Sequence, residues 1–204
     1  MTTGVTIRFN QSTFNRLKAH GKARNAGKEA YPSSEAYGNL SGDTTNVLGA
    51  TGEAAIAKLF SVKMDTRIHS KGDGGVTDLT VFGVKCAVKT NTYQNGDLYF
   101  NPPTEKHGVL KAQCAFLTIP ATPDWHDMRI VGFITRTDFD KLYTVKDWGY
   151  GNRHCIPQDL LRNPWTFPEC ALAHFKVIND AQHSAVRFIC KRLESKPLPT
   201  TISA

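Results

Sequence analysis

The chain has 204 residues, of which 40% are hydrophobic and 21% charged, with a formal net charge of +7. This length suffices for one substantial domain with its own core, and the absence of any long apolar window argues against a membrane-spanning protein. The basic balance favours a polyanionic partner, and five scattered cysteines, an odd number, indicate reduced thiols rather than a disulfide framework.

A basic segment at residues 11–30 is the first predicted element, a helix or an arm that Ser12 would cap. Its cations can contact phosphate directly, or they can form the solvated face of an ordinary helix, and both interpretations stay open. A loop is predicted at residues 31–43, where proline, glycine and serine disfavour a helix. The candidate phosphate contacts of the basic segment are Arg16, Lys18, Lys22 and Arg24.

A helix rich in small residues is predicted over residues 49–60. Glu53 shares one stripe of this helix with Ile56, Ala57 and Phe60, at the i+3, i+4 and i+7 positions. A carboxylate on a buried stripe is unfavourable unless it is paired, protonated or bound to a cation. Glu53 is therefore a candidate metal ligand, and the alternative is a first-turn glutamate that the helix dipole favours.

Residues 77–90 predict a β-hairpin, because two segments of period-two alternation flank a single glycine. With Phe82 and Gly83 in the turn, Val81 pairs with Val84, Leu79 with Cys86 and Asp78 with Ala87. One face of the hairpin then carries five apolar side chains and belongs to a core. The other face carries Asp78, Thr80, Lys85, Ala87 and Lys89.

The rest of the chain predicts further strands and helices. Continuous apolar runs are typical of buried strands, and apolar residues at helical spacing predict an amphipathic helix near the C-terminus. Cys155, Cys170, His154 and His174 lack the paired spacing of a zinc site, so buried free thiols are the better interpretation. The predicted elements are strands at 97–100, 112–119 and 128–135, a short helix at 136–143 and the amphipathic helix at 180–194.

The hairpin resembles the catalytic signature of the PD-(D/E)XK nuclease superfamily, which has Asp at the end of one strand and an acid, any residue and Lys on the next. Asp78 and Lys89 match the outer positions, and Glu53 matches the family's glutamate on an upstream helix. The sequence motifs Asp-Gly-Gly-x-x-Asp and Gly-Val-Lys-x-x-Val-Lys-Thr are similar to those of small phage and bacterial members of the superfamily. The resemblance covers residues 44–162 and implies a restriction-endonuclease-like core, an α/β fold whose mixed central sheet is flanked by helices.

Ala87 departs from this pattern, because the family has Asp or Glu at the corresponding position. The missing group would be a metal ligand. Two explanations compete: a natural degenerate member, or replacement of an acid by alanine to trap an inactive protein. We favour replacement, because the pattern around the position is otherwise intact.

The resemblance implies a nuclease that hydrolyses DNA phosphodiesters with Mg²⁺ or Mn²⁺. Such an ion takes oxygen ligands, neutralises charge on phosphoryl oxygens and lowers the pKa of its bound water. Asp78, Glu53 and the backbone carbonyl of Val88 would hold it, and Lys89 would orient the attacking water and stabilise the transition state. Further candidate contacts to the nucleic acid are Lys85 and Thr90.

We expect an endonuclease acting on DNA in a phage or mobile-element setting, in the cytoplasm of the host cell and without a membrane partner. RNA as the substrate, exonuclease action and a homodimer stay open. The alternative is a non-catalytic nucleic-acid-binding protein on the same fold, with Ala87 as its natural state. We expect one nuclease-like domain over 1–204, with a basic N-terminal extension (1–43), a core (44–162), a C-terminal helical region (163–194) and a loose tail (195–204).

Overall fold

The computed structural model describes residues 4–26, 41–68, 77–101, 112–149, 151–175 and 201–202. These residues form a mixed α/β fold with two β-sheets, and no helix among them is long and apolar enough to cross a membrane. In chain order the elements are β1 (Val5–Arg8), α1 (Gln11–Ala26), α2 (Gly42–Leu59), β2 (Leu79–Val81), β3 (Val84–Thr90), β4 (Leu98–Phe100), β5 (Cys114–Pro120), β6 (Asp127–Thr135), α3 (Arg136–Leu142), β7 (Thr144–Asp147), β8 (Asn152–Ile156), α4 (Phe167–Phe175) and β9 (Thr201–Ile202).

The larger sheet has six strands in the order β2-β3-β5-β6-β1-β9. Strand β3 pairs antiparallel with β2 and parallel with β5, and β6 pairs antiparallel with both β5 and β1. The smaller sheet is antiparallel and has the order β4-β8-β7. The sheet is therefore mixed, as expected, and it places the predicted hairpin at one edge.

Two apolar cores lie on opposite faces of the larger sheet. Helices α1, α2 and α4 cover the first core, while the smaller sheet and α3 cover the second. Strand β5 contributes to both, because Cys114 and Phe116 belong to the first core and Ala115 and Leu117 to the second. A strand covered on both faces needs apolar residues at every position, which explains the continuous apolar run in its sequence.

The predicted hairpin is confirmed with two of its predicted pairs, whereas the predicted pair of Asp78 with Ala87 was wrong, because β2 begins at Leu79 and the Asp78 side chain binds the main chain of Val88. Leu79 pairs with Cys86 and Val81 with Val84 across a two-residue turn. Both turn residues have positive φ, 51° at Phe82 and 81° at Gly83, which is the requirement of a type I′ turn. The five apolar side chains of the inner face are buried in the first core: Leu79, Val81, Val84, Cys86 and Val88.

The helix that carries Glu53 is confirmed, but its predicted start was wrong by seven residues. Helix α2 begins at Gly42 because the Ser41 side chain accepts a hydrogen bond from the N–H of Thr44. The glycines inside the segment hid this longer helix, since glycine disfavours helix in isolation. The predicted buried stripe of Glu53, Ile56, Ala57 and Phe60 is confirmed, with each residue at most 6% exposed.

The basic segment is helical over residues 11–26, and the predicted cap was wrong. Asn10 caps α1, because its Oδ1 accepts a hydrogen bond of 2.8 Å from the N–H of Thr13. Ser12 lies inside the first turn instead. Helix α1 packs along α2, and β1 lies within the larger sheet beside β6, so both elements belong to the layers described above.

Most of the later elements are confirmed with small shifts of their ends. Strands β4, β5 and β6 and helix α3 occupy the predicted segments, whereas β1, β7 and β9 were not predicted. These three strands are only two to four residues long, too short for an alternating pattern to stand out. The predicted helix at 180–194 and residues 31–40 of the predicted loop lie outside the described residues.

Candidate active site

Asp78 lies at the edge of the larger sheet, where β2 and β3 separate. Strand β2 begins at Leu79, and the last registered pair between the two strands joins Leu79 to Cys86. Just beyond that pair, Asp78 Oδ2 accepts a hydrogen bond of 2.7 Å from the main-chain N–H of Val88. The carboxylate thus accepts the hydrogen bond that a main-chain carbonyl would accept if β2 extended further along β3.

The main-chain carbonyl of Val88 points to the same edge as Asp78. The main-chain groups of Lys85 and Asn91 point toward the β5 side. The Lys85 carbonyl accepts a hydrogen bond from the Gln113 N–H, and the Asn91 N–H donates to the Thr118 carbonyl. Successive residues of a strand alternate between its two neighbours, so Val88 directs both its N–H and its C=O toward the β2 side. A carboxylate and a carbonyl oxygen therefore share this edge of β3.

Ala87 and Lys89 lie on the face of β3 that is opposite α2. Ala87 is half-buried, packs against the second core and lies beside Ala115 of β5 in the register. The Lys89 ammonium lies 5.2 Å from the centre of the Phe100 ring, a cation–π distance. Within the described part of the chain Lys89 forms no ion pair, so the ring rather than a carboxylate positions its amine.

Glu53 lies on the inner stripe of α2, on the opposite face of the sheet from Lys89, and it is paired with Arg24 of α1. The guanidinium Nη1 donates to Glu53 Oε1 at 2.8 Å, and the two side chains are 21% and 8% exposed. A buried carboxylate without compensation is costly, and this contact explains how α2 tolerates one on its inner stripe. Arg24, predicted as a phosphate contact, is thus at least partly engaged within the protein.

A close helix-to-strand contact places Glu53 near the end of β3. A Cβ atom added at Gly52 would lie 2.2 Å from Thr90 Oγ1 and 2.5 Å from Thr118 Oγ1. Only glycine permits this approach, and the two threonine hydroxyls are hydrogen-bonded to each other at 2.9 Å. Thr90 is therefore partly buried under α2 and bonded to Thr118, which leaves it little freedom to bind a phosphate.

The three predicted catalytic side chains lie on different sides of β3. Glu53 lies on the α2 face, Lys89 lies on the opposite face, and Asp78 lies at the edge between them. No group of three or more His, Cys, Asp and Glu side chains within the described ranges is arranged to hold a metal ion. An acid at position 87, where the sequence has alanine, would be the third carboxylate of the predicted pattern.

The predicted basic contacts lie on two different sides of α1. Arg16 is exposed and donates to Thr13 Oγ1, whereas Lys18 lies over the Phe14 ring at 5.2 Å from its centre. Lys18 and Lys22 line a cavity of about 400 Å³ that also contains Asp43 and Asp124. On the hairpin, Lys85 is exposed on the same face as Lys89.

Sequence reasoning missed the Arg24–Glu53 pair. The rule that a buried carboxylate requires a partner was available, but the sequence does not say which of several cations in the basic segment supplies it. The structure selects Arg24 because α1 packs antiparallel to α2 closely enough for Gly21 to touch Val47. Gly21 is the signal that could have been used, since a glycine inside a helix often marks a close crossing.

The cysteines behave as predicted over the described residues. Cys86, Cys114, Cys155 and Cys170 are free and buried. Burial raises the pKa of the thiols of Cys114, Cys155 and Cys170, which disfavours the thiolate that metals and electrophiles require. His154 stacks on Tyr143 with ring centres 4.4 Å apart, a packing role rather than a ligand role.

Comparison of the chain with protein-family models, with curated proteins and with solved structures finds no match. The geometry of the site is accordingly the basis for the function proposed below.

Proposed function

We propose that the protein is a metal-dependent nuclease acting on DNA, whose cleavage is impaired by alanine at position 87. One observation carries this proposal: Asp78 is bound to the main chain of Val88, one residue from Ala87 and from Lys89. That arrangement brings an acid, a carbonyl oxygen and an ammonium-bearing strand to one edge of the sheet. The net charge of +7 supports a polyanionic substrate.

The oxygen donors at this edge fit a hard divalent cation in type, with one carboxylate fewer than the pattern requires. Asp78 and the Val88 carbonyl would hold Mg²⁺ or Mn²⁺, and Glu53 would reach it directly or through water after release from Arg24. Bound there, the ion supplies charge neutralisation at the scissile phosphate and a more acidic water. With two carboxylates in place of three, we expect weak metal binding.

Lys89 would stabilise the pentacovalent phosphoryl group and orient the attacking water. Its ammonium now lies over Phe100, on a flexible four-carbon chain that extends from an exposed strand position. A cation–π contact at an exposed site is worth only about 0.5–1 kcal/mol, so a phosphate can displace the ring. Phe100 therefore keeps the amine near the site until the substrate arrives.

We further propose that the fold has a restriction-endonuclease-like core. The supporting observations are the chain order from β2 to α3, which is a hairpin, three strands and a short helix, and the packing of α2 over β3. In this arrangement Asp78 lies outside both apolar cores.

Restoring an acid at position 87 tests the activity. Ala87→Asp is expected to produce Mg²⁺-dependent cleavage of plasmid DNA, whereas the isosteric Ala87→Asn should not, because only a carboxylate ligates the ion strongly. The double variants Ala87→Asp/Lys89→Met and Ala87→Asp/Asp78→Asn should lose the restored activity. Inert Ala87→Asp protein that is folded and binds Mg²⁺ would argue against the proposal, and assays on RNA establish the preferred polymer.

A non-catalytic nucleic-acid-binding protein is the second candidate, and the packing of Ala87 favours it. The methyl group of Ala87 packs against the second core beside Ala115. A carboxylate at this position would lose part of its hydration at the margin of an apolar cluster, which is unfavourable. DNA affinity measured with EDTA and with Mg²⁺ separates the candidates. A binder should give equal affinities, whereas an impaired nuclease should bind more tightly with the ion.

A further inference from the structure

A groove of about 740 Å³ lies between α1 and the C-terminal half of α2. One stripe of α1 forms its first wall, with Thr13, Arg16, Leu17 and His20 at positions i, i+3, i+4 and i+7. The facing stripe of α2 includes Ala54, Ala57 and Lys58. A volume of this size is typical of sites for small organic ligands.

The groove is cationic. Arg16, His20 and Lys58 line it, and none of the described residues that line it is acidic. The neighbouring acid Asp65 is bound by Arg67, whose Nη2 lies 2.6 Å from Asp65 Oδ2. The charges of Arg16 and Lys58, in a groove without carboxylates among its described lining residues, attract an anion.

Two of these basic groups lack full compensation. His20 Nε2 is buried without a hydrogen-bond partner in the described structure. The Lys58 ammonium donates to the Arg8 carbonyl at 3.3 Å, and burial lowers its pKa. A buried polar atom without a partner costs free energy, which an anion with acceptor oxygens would recover.

The rest of the lining is apolar. Phe9, Leu17, Val62 and Met64 line the groove together with the small side chains of α2. A ligand that fits must therefore carry both an anionic group and a flat or apolar body. Free inorganic phosphate would leave the apolar part of the groove exposed to water.

We propose that this groove binds a nucleotide, with its phosphate on Arg16, His20 and Lys58 and its base on the apolar wall. Arg16 can bind phosphate or carboxylate oxygens through two N–H groups, and the larger negative charge of a phosphate monoester favours a nucleotide over an acidic peptide. His20 lies about one helical turn from Arg24, the partner of Glu53, on the same helix. The choice of a nucleotide rests on the proposed nuclease function, and the groove holds a unit of the strand near the cleaved bond.

Calorimetric titration of the full chain tests the groove by itself when EDTA keeps divalent ions away from the proposed metal site. We expect deoxyadenosine monophosphate to bind at least tenfold more tightly than deoxyadenosine or inorganic phosphate. Arg16→Gln and Lys58→Met should each weaken that binding at least fivefold. Lys63→Gln is the matched control, because Lys63 is exposed and does not line the groove, and it should bind as the parent does.

Ala54→Leu tests the location without a change of charge, because the larger side chain fills the groove from α2. It should abolish nucleotide binding at an unchanged thermal midpoint. Equal weakening by Arg16→Gln and Lys63→Gln would overturn the groove as the site. N-acetylphenylalanine that binds as tightly as the nucleotide would overturn the ligand class. If the nucleotide binds and Ala87→Asp does not cleave DNA, the groove stands as a binding site and the nuclease proposal is rejected. If Ala87→Asp cleaves DNA and the groove binds no nucleotide, the nuclease proposal stands and the groove is rejected.

Discussion

The carboxylate of Asp78 replaces a strand residue in its contact with Val88. Its Oδ2 accepts the Val88 N–H at 2.7 Å at the point where β2 has no further registered residue. A hydrogen bond to a charged acceptor is short and comparatively strong. The same side chain thus completes the edge of β3 and presents a carboxylate beside a main-chain carbonyl.

Substitution of Asp78 separates these two contributions. Asp78→Ala leaves the Val88 N–H without its acceptor and should lower the free energy of unfolding by about 1–3 kcal/mol. Asp78→Asn keeps an acceptor oxygen and should cost less, yet it should weaken Mn²⁺ binding as much as alanine does. Urea unfolding and metal titration of both variants measure the two effects, and equal stability losses would show that the hydrogen bond contributes little.

The Arg24–Glu53 pair predicts a strongly non-additive pair of substitutions. Arg24→Met should destabilise the protein by about 3 kcal/mol, because it removes a partner of a largely buried carboxylate. Glu53→Gln in the same chain should recover much of that loss. A double-mutant cycle by urea unfolding gives the coupling energy. Additive losses, with no recovery in the double variant, would contradict a direct ion pair.

Two glycines of α2 make matched predictions of opposite sign. Gly52→Ala places a methyl group against the hydroxyls of Thr90 and Thr118 and should displace α2 from β3, with a loss of about 1–3 kcal/mol. Gly49→Ala meets no atom within 4 Å and should gain up to about 1 kcal/mol, because alanine favours helix. Thermal melts of the two variants test the contact, and similar shifts would contradict it.

His20 predicts a pH dependence of stability. Burial, and then the charge of Arg24, lowers its pKa from the ordinary 6.5, while Asp65 acts in the opposite direction. A lowered pKa means that the unfolded chain takes up the proton first, so stability is complete above pH 6.5 and falls as the pH drops below it. His20→Gln should lose this part of the decline, which urea midpoints from pH 7.5 to 5 would measure. Parallel curves for the two proteins would refute the assignment.

The hairpin and the strands at 112–119 and 128–135 were predictable because each has a pattern that one structure satisfies. Alternation around Gly83 fixed the register, and the apolar run of β5 reflects burial on both faces. The start of α2 was not predictable from glycine content, since tertiary contacts outweigh intrinsic propensity there. The better guide to the start of α2 was the capping residue Ser41, whose side chain accepts a hydrogen bond from the N–H of Thr44 three residues later.

The places of Ala87 and Lys89 on the hairpin were predictable, but that of Asp78 and the partners of the candidate residues were not. Strand periodicity assigned Ala87 and Lys89 to the same face of β3, whereas Asp78 lies before the first residue of β2 and binds the main chain of Val88. The contacts of Arg24 with Glu53 and of Lys89 with Phe100 join segments far apart in the chain. Such pairings depend on how helices and sheets pack together, which single-sequence patterns do not specify.

The most direct test is the anomalous density of manganese in crystals of the Ala87→Asp variant grown with Mn²⁺. We predict a peak about 2.0–2.5 Å from a carboxylate oxygen of Asp78 and from the Val88 carbonyl oxygen, with Asp at position 87 as a further ligand. Crystals with manganese elsewhere, and none at this edge of β3 under saturating Mn²⁺, would contradict the account.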